Sequence, residues 1–430
     1  MPGDDARSAE RGWVFGKIKE QGEWRSKCLN MIASENFASP WVEKAYISDF
    51  MHRYAEGTPF NRYYEGTRVI DELEDKANKL FARVLGSKKS DTRPISGAIA
   101  NMATMRAFTE PGDTIVSLPV PAGAHSSHGR GGVAGLLGLQ PKKLAFKNRE
   151  FTIDVEESSR IIRECKPKLA IVGASLILFP LDISGLKEAC EEVGAKLIYD
   201  SAHVFGLIFA GRFQSPFKEG ADLLTTSTHK TFPGPQGGLI AGSVNEEDWA
   251  KVERGVFPRI LSNHHLHRIP ALLVAAYEMQ EFGVAYADQI IKNARAFAQA
   301  LHERGFKVCA EERGFTECHQ VVVDVSEIGG GDWAAKALDR ANIIMNKNLL
   351  PWDELNLERL TNPSGIRMGV QEMTRFGMKE REMVEVAEFY KRVLMDKEAP
   401  EKVKGDVENF RSQFQKIHFT WDLRDLEGIE

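Results

Sequence analysis

Cysteine is scarce in this chain: five residues, Cys28, Cys165, Cys190, Cys309 and Cys318, are spread over 430 positions. Their odd number and the lack of any C-x-x-C pair suggest neither a disulfide framework nor a zinc site, and fit a reducing cytoplasm. Long apolar runs are missing too. No stretch approaches the roughly 20 residues that cross a bilayer, and the polar start "MPGDDARSAERGW" has no apolar core of a leader peptide. An excess of basic charge is also lacking. With a formal net charge of −5 there is no broad cationic field, so neither nucleic acid nor a membrane surface is expected as a partner. No internal repeat stands out, and the one compositional bias is the glycine cluster "GRGGVAGLLG" at 129–138.

What is present is a hydrophobic content of 43%, enough to fill a large core. From about residue 95, short apolar runs alternate with amphipathic segments. "SGAIANMATMRAF" reads as a helix opened by Ser96 and Gly97; "DTIVSLPV", "KLAIVGAS", "AKLIYD", "ADLLTTSTHK" and "GGLIAGS" read as strands; "SGLKEACEEVGA" is a helix stopped by Gly194. This alternation predicts an α/β fold with a mostly parallel sheet covered by helices. After residue 280 come a long helix closed by Gly305, the strand "HQVVVDVSEI", the helix "DWAAKALDRANI", the short strand "GIRMGV" and a last amphipathic helix, a smaller α+β domain. The expected division is an N-terminal arm over 1–40, a large domain over 41–280 and a small C-terminal domain over 281–430. The charged tail is expected to lie over the surface.

In parallel sheets the ligand crevice lies at the carboxyl ends of the strands, and Asp200, His203 and Lys230 fall there. A single lysine is most often merely solvated, but one held in a crevice loses its proton readily and becomes a Schiff-base nucleophile. Its company gives Lys230 that reading. Asp200 can hold the proton on a pyridine nitrogen, His203 can reach a phenolic oxygen, His125 can stack on a ring, and Arg367 can fork onto a carboxylate.

The stretches "NMIASENFASP", "YAEGTPFNRYYEGT", "SGAIANM", "GAHSSHG", "YDSAHVFGL", "STHKTFPGPQGG", "NIIMNKN" and "SGIRMG" resemble, in order and spacing, the serine hydroxymethyltransferases. That resemblance, running from about Gly12 to about Lys397, implies a fold-type I enzyme with pyridoxal 5′-phosphate, a small amino-acid substrate and at least a homodimer or a dimer of dimers. It implies Lys230 as the Schiff-base lysine, Asp200 on the ring nitrogen, His203 near the phenolic oxygen and His125 on the ring face. Ser34, Tyr64 and Arg367 match substrate-holding positions, Glu56 the acid/base carboxylate, and Tyr54 a tyrosine that reaches a neighbouring subunit's phosphate. Ser175 and His229 fall at the cofactor, and Gly97 and Ala98 open the helix whose N–H groups face the phosphate.

The sequence departs from that pattern in two places. A glycine loop after the Phe-Pro pair is replaced by "RILSNHHLHRIP", where Ser262, Asn263 and His264 are expected to donate to the phosphate in its stead. A metal site from His264, His265 and His267, or a plain surface turn, are the competing readings. Around the folate region, Ala98, Ile99, Val120, Ala124, Ser126 and Gln236 stand where the family has other residues, which points away from folate. The replaced stretches resemble a folate-independent branch, the threonine transaldolases and the pyridoxal-phosphate monooxygenase-decarboxylases of capuramycin-type nucleoside biosynthesis.

All these enzymes break a bond at Cα and leave a carbanion delocalised into the cofactor ring, and the electrophile that follows sets the product. The residues do not decide between dioxygen and an aldehyde as that electrophile; the resemblance to the monooxygenase-decarboxylases implies an O2-dependent oxidation and decarboxylation of a β-hydroxy amino acid such as a glycyl-nucleoside to a carboxamide, in nucleoside antibiotic biosynthesis. Threonine transaldol transfer and serine/glycine hydroxymethyl transfer are the alternatives. A nicotinamide-binding reading of "GRGGVA" at 129–134 fails, because a loop precedes it and the following strand ends in Lys147 rather than an acid. A catalytically silent relative has no reason to keep Lys230, Asp200, His125, Glu56 and Arg367 together.

Overall fold

A computed structural model describes residues 4–426, with side chains from residue 10; the first three and last four residues lie outside it. A seven-stranded sheet forms the larger body. Its order is Lys89–Asp91, Gly238–Gly242, Leu223–Ser227, Lys196–Asp200, Leu169–Val172, Thr114–Ser117, Gln140–Lys143, and only Gly238–Gly242 runs antiparallel to its neighbours. The central strands are buried along their whole length, as expected of apolar runs covered on both faces. The larger body thus has the α/β architecture that the alternation of strands and helices predicts.

Local chemistry explains the element ends. Ser96 caps the helix Gly97–Phe108 by accepting the Ile99 N–H at 3.1 Å, and Gly194 ends Ser184–Val193 in the left-handed region. In Arg68–Leu85 the buried Ile70, Glu74, Ala77 and Phe81 recur at helical spacing and face the core.

The smaller body is an antiparallel sheet, ordered Lys307–Val308, Gln320–Asp324, Gly365–Gly369, Asn346–Asn348, flanked by the helices Gly330–Arg340 and Glu380–Leu394. Three features differ from the sequence expectation. Residue 280 lies inside one continuous helix, Arg268–Glu303, so the chain passes between the two bodies without a linker. The arm is tied to the smaller body, because Leu29–Asn30 pairs in parallel with Ile343–Ile344. The tail is not merely laid on the surface: Val403 and Val407 of the helix Pro400–Arg411 are fully buried, and Arg411 donates to the Cys28 carbonyl at 3.1 Å. Among the described residues no helix is long and apolar enough to cross a membrane, and all five cysteines are free.

Candidate functional site

Asp200 ends its strand against Gly173, whose φ of +131° and distance of 2.1 Å from an added Cβ to the Asp200 carbonyl admit no side chain. Its carboxylate is held on both oxygens. Asn101 donates to Oδ2 at 2.8 Å, His128 Nε2 lies 3.1 Å from the same atom, and the Ala202 N–H donates to Oδ1 at 3.0 Å. Burial alone would raise the Asp200 pKa, but His128, Asn101 and the Ala202 N–H outweigh it and hold the group well below the usual carboxylate range. An ionised carboxylate so fixed is what a pyridinium N–H requires as a partner.

Lys230 follows the strand Leu223–Ser227 on a turn, and Asn36 donates to its carbonyl at 2.7 Å. Its ammonium makes no hydrogen bond or ion pair among the described residues. Burial is the main force on it; Asp200 pulls the pKa up and Arg367 pushes it down, leaving it at about 8. The free amine is thus far more accessible near neutral pH than that of a solvated lysine, although the ammonium still predominates there.

Arg367, in the strand Gly365–Gly369, is buried and has no carboxylate partner among the described residues. It donates to the Ser175 carbonyl at 2.5 Å and to Asn346 Oδ1 at 3.0 and 3.2 Å, and burial lowers its pKa to about 10. His203 lies beside these cations; burial, then Lys230 and Arg367, push it well below its ordinary range and keep it neutral. Its Nδ1 is 3.0 Å from Gln320 Nε2, and its ring stacks on His319 with centroids 5.8 Å apart. His125 is tied through Nδ1 to Ser127 Oγ at 2.8 Å, and burial lowers its pKa. His229, pushed down to about 4 by burial, meets the Gly237 N–H at 3.4 Å. Ser34, His229 and Gln236 share the wall of a cavity of about 700 Å³.

Gly97 and Ala98 begin a helix with no acidic residue in its first turn, and a Cβ on Gly97 would come within 2.5 Å of Ser227 Oγ. This N-terminus sets a positive dipole end beside the Lys230 strand. A free amine, a fixed carboxylate, an unpaired guanidinium and an open helix start fit pyridoxal 5′-phosphate and the carboxylate of an amino acid.

A second group of the expected residues gathers elsewhere. Tyr54 and Tyr64 are exposed with ring centroids 5.6 Å apart, and Ser262 Oγ donates to Glu56 Oε1 at 2.5 Å. Asn263 accepts the Ala55 N–H at 3.0 Å and donates to the Arg53 carbonyl at 3.1 Å. No hydrogen bond or ring contact among the described residues joins this strap to the Lys230 cluster. The structure thus gives Ser262, Asn263 and His264 partners within the chain. Ser262 has one O–H and spends it on Glu56, while His264 is buried 2.7 Å from Glu74 Oε2. His265 and His267 stack on each other, and no three potential ligands converge on a metal site among the described residues.

Sequence reasoning missed His128, Asn101, Gln320, Asn346 and Asn36. All five lay inside stretches already quoted, "GAHSSHG", "SGAIANM", "HQVVVDVSEI", "NIIMNKN" and "NMIASENFASP", and Asn101 shares a helix with Gly97.

The serine hydroxymethyltransferase family model matches residues 10–390. The chain belongs to the serine hydroxymethyltransferase family. It is 52% identical over 405 residues to a serine hydroxymethyltransferase of Staphylothermus marinus, covering 94% of this chain and 92% of that one. It is 50% identical over 416 residues to one of Pyrococcus abyssi, covering 96% and 97%. Among solved structures it matches an L-threonine transaldolase from Pseudomonas fluorescens with a TM-score of 0.90 and 28% identity, covering 99% of this chain and 98% of that one. Its cofactor is pyridoxal 5′-phosphate. Relatives that share half their residues with this chain carry the plain family name, so the departures around Gln236 and Ser262 do not by themselves set it in a folate-independent branch.

Proposed function

We propose that this enzyme breaks and re-forms the Cα–Cβ bond of a β-hydroxy α-amino acid, with serine and glycine as the exchanged pair. The observation that carries the reading is Arg367, a buried cation without a counter-ion beside the unpartnered Lys230 amine. Such a pair takes an amino acid by its carboxylate and delivers its Cα next to the lysine.

Arg367 and Ser34 bind the substrate carboxylate, and Tyr64 closes over it. Lys230 anchors the cofactor; Asp200 keeps a proton on the ring nitrogen; His125 covers the ring; His203, neutral, sits at the phenolic oxygen. Ser175, His229 and the N–H groups of Gly97 and Ala98 complete the cofactor's surroundings. The bound cofactor supplies an electron sink for the pair released at Cα. Glu56 accepts the β-hydroxyl proton as the Cα–Cβ bond breaks, the β-carbon leaving as an aldehyde. The exposed strap with Tyr54, Glu56, Tyr64, Ser262 and Asn263 serves the site of a second copy, in a homodimer or a dimer of dimers within a reducing cytoplasm.

A threonine transaldol reading is the second, favoured by the 0.90 TM-score match and by Gln236. None of the relatives named above carries O2-dependent decarboxylation in its name. The deciding experiment offers the holoenzyme serine or threonine, with and without tetrahydrofolate or an acceptor aldehyde, under an oxygen electrode. Tetrahydrofolate-dependent glycine formation from serine is expected, and Lys230→Ala abolishes it together with the visible absorption of the bound cofactor. Threonine-driven aldehyde exchange without tetrahydrofolate establishes the second reading instead. Stoichiometric oxygen uptake with CO2 release displaces both.

A further inference from the structure

The residues on either side of Glu56 are fixed by more bonds than an exposed strap needs. Arg62 donates to the carbonyls of Ala55 and Gly57 at 2.9 and 3.0 Å, and Arg93 reaches the Gly57 carbonyl at 2.9 Å from the other side. The Ala55 N–H is bound by Asn263, and the Glu56 carbonyl accepts the Tyr63 N–H at 3.0 Å. Beneath lies a buried ion network: Arg62 pairs with Asp71 at 2.7 Å and Glu74 at 3.0 Å, and Glu74 also meets His264 at 2.7 Å. Burial opposes the ionised Glu74, and His264, Arg62 and Arg93 outweigh it. Charges of this kind contribute little net stability, yet they fix geometry. Here they fix one stretch of backbone, residues 55–57, with only the Glu56 carboxylate left half-exposed.

The remaining freedom of that carboxylate is its side-chain rotation, and Ser262 restrains it through the 2.5 Å hydrogen bond to Oε1. Oε2 accepts no hydrogen bond among the described residues. Ser262, Asn263 and His264 are consecutive in the loop that precedes the helix Arg268–Glu303, so a single loop holds the side chain, the backbone and the ion network at once.

We propose that the 262–264 loop is a positioning device for Glu56, with Ser262 as the positioning residue that aims its carboxylate at the substrate hydroxyl. This rests on the reading of Glu56 as the acid/base group. A carboxylate already aimed loses less freedom on reaching the transition state, so the contribution falls on turnover and not on substrate binding.

The test uses the holoenzyme and the variants Ser262→Ala, Ser262→Thr, Asn263→Ala and Glu56→Gln. Ser262→Ala is expected to lower kcat by about 10- to 100-fold, the worth of one hydrogen bond to a charged group, with KM and cofactor affinity within about twofold of the parent. Ser262→Thr restores the hydroxyl and most of the rate. Asn263→Ala speeds hydrogen–deuterium exchange across residues 53–64 by about 10-fold or more, a readout independent of catalysis. Two results overturn the inference alone: parental kcat in Ser262→Ala while Glu56→Gln is inactive, or weakened cofactor binding in Ser262→Ala with kcat retained at saturating cofactor, which would make Ser262 a phosphate ligand. Parental turnover in Glu56→Gln overturns the acid/base reading itself, and the inference with it.

Discussion

Asn101 joins more of the site than its place inside a helix implies. Its amide nitrogen donates to Asp200 at 2.8 Å and to Ser127 Oγ at 3.1 Å, and its carbonyl oxygen accepts from Thr225 Oγ1 at 2.6 Å. Asn101→Ala removes a hydrogen bond to a buried charge, which is worth about 1.5–3 kcal/mol, and lets burial raise the Asp200 pKa. A loss of about 10- to 100-fold in pyridoxal 5′-phosphate affinity is expected, read by titrating the apoenzyme. At this scale the sequence shows some residues and hides others for a physical reason. Lys230 and Asp200 stand at ends of apolar runs, where a polar group has to be exposed to a crevice. Asn101 and His128 act across 99 and 72 residues of chain, and no local spacing records such a partner.

At the scale of elements, the strands of the large sheet are legible because each is a short apolar run ended by polar or glycine residues. The strap is not: its hairpin pairs Gly57–Thr58 with Asn61–Arg62, two residues a side, too short for any alternation to show. Nor is the Pro400–Arg411 helix, whose buried Val403, Val407 and Phe410 are diluted by charged neighbours. The hairpin nonetheless makes strict demands. Gly57 has a φ of +110°, and a Cβ there would lie 2.4 Å from the Asn61 carbonyl oxygen. Gly57→Ala is expected to cost about 2 kcal/mol or more and to displace Glu56 next to it, lowering both the thermal midpoint and kcat.

At the scale of the whole molecule, the proposed reading assigns the two clusters of site residues to sites completed between chains. Phe60, Tyr63 and Tyr54 are 68%, 81% and 55% exposed, a hydrophobic strap too large to leave in water. Lys230→Ala and Glu56→Gln, each inactive alone, are expected to recover about a quarter of the parental activity when unfolded together and refolded, because half the random dimers carry one intact site of two. Recovery near zero would place both residues in the same chain's site.

The helix Arg268–Glu303 extends over 36 residues, roughly 54 Å, from the loop that holds Glu56 to the edge strand of the smaller sheet. Its first residues follow the histidine cluster and its last precede the Lys307–Val308 strand. No cut through its middle leaves two self-sufficient pieces: a gene divided near codon 280 would yield halves that each carry an open, half-covered rod, whereas the loop after Glu303 offers a break at a natural seam.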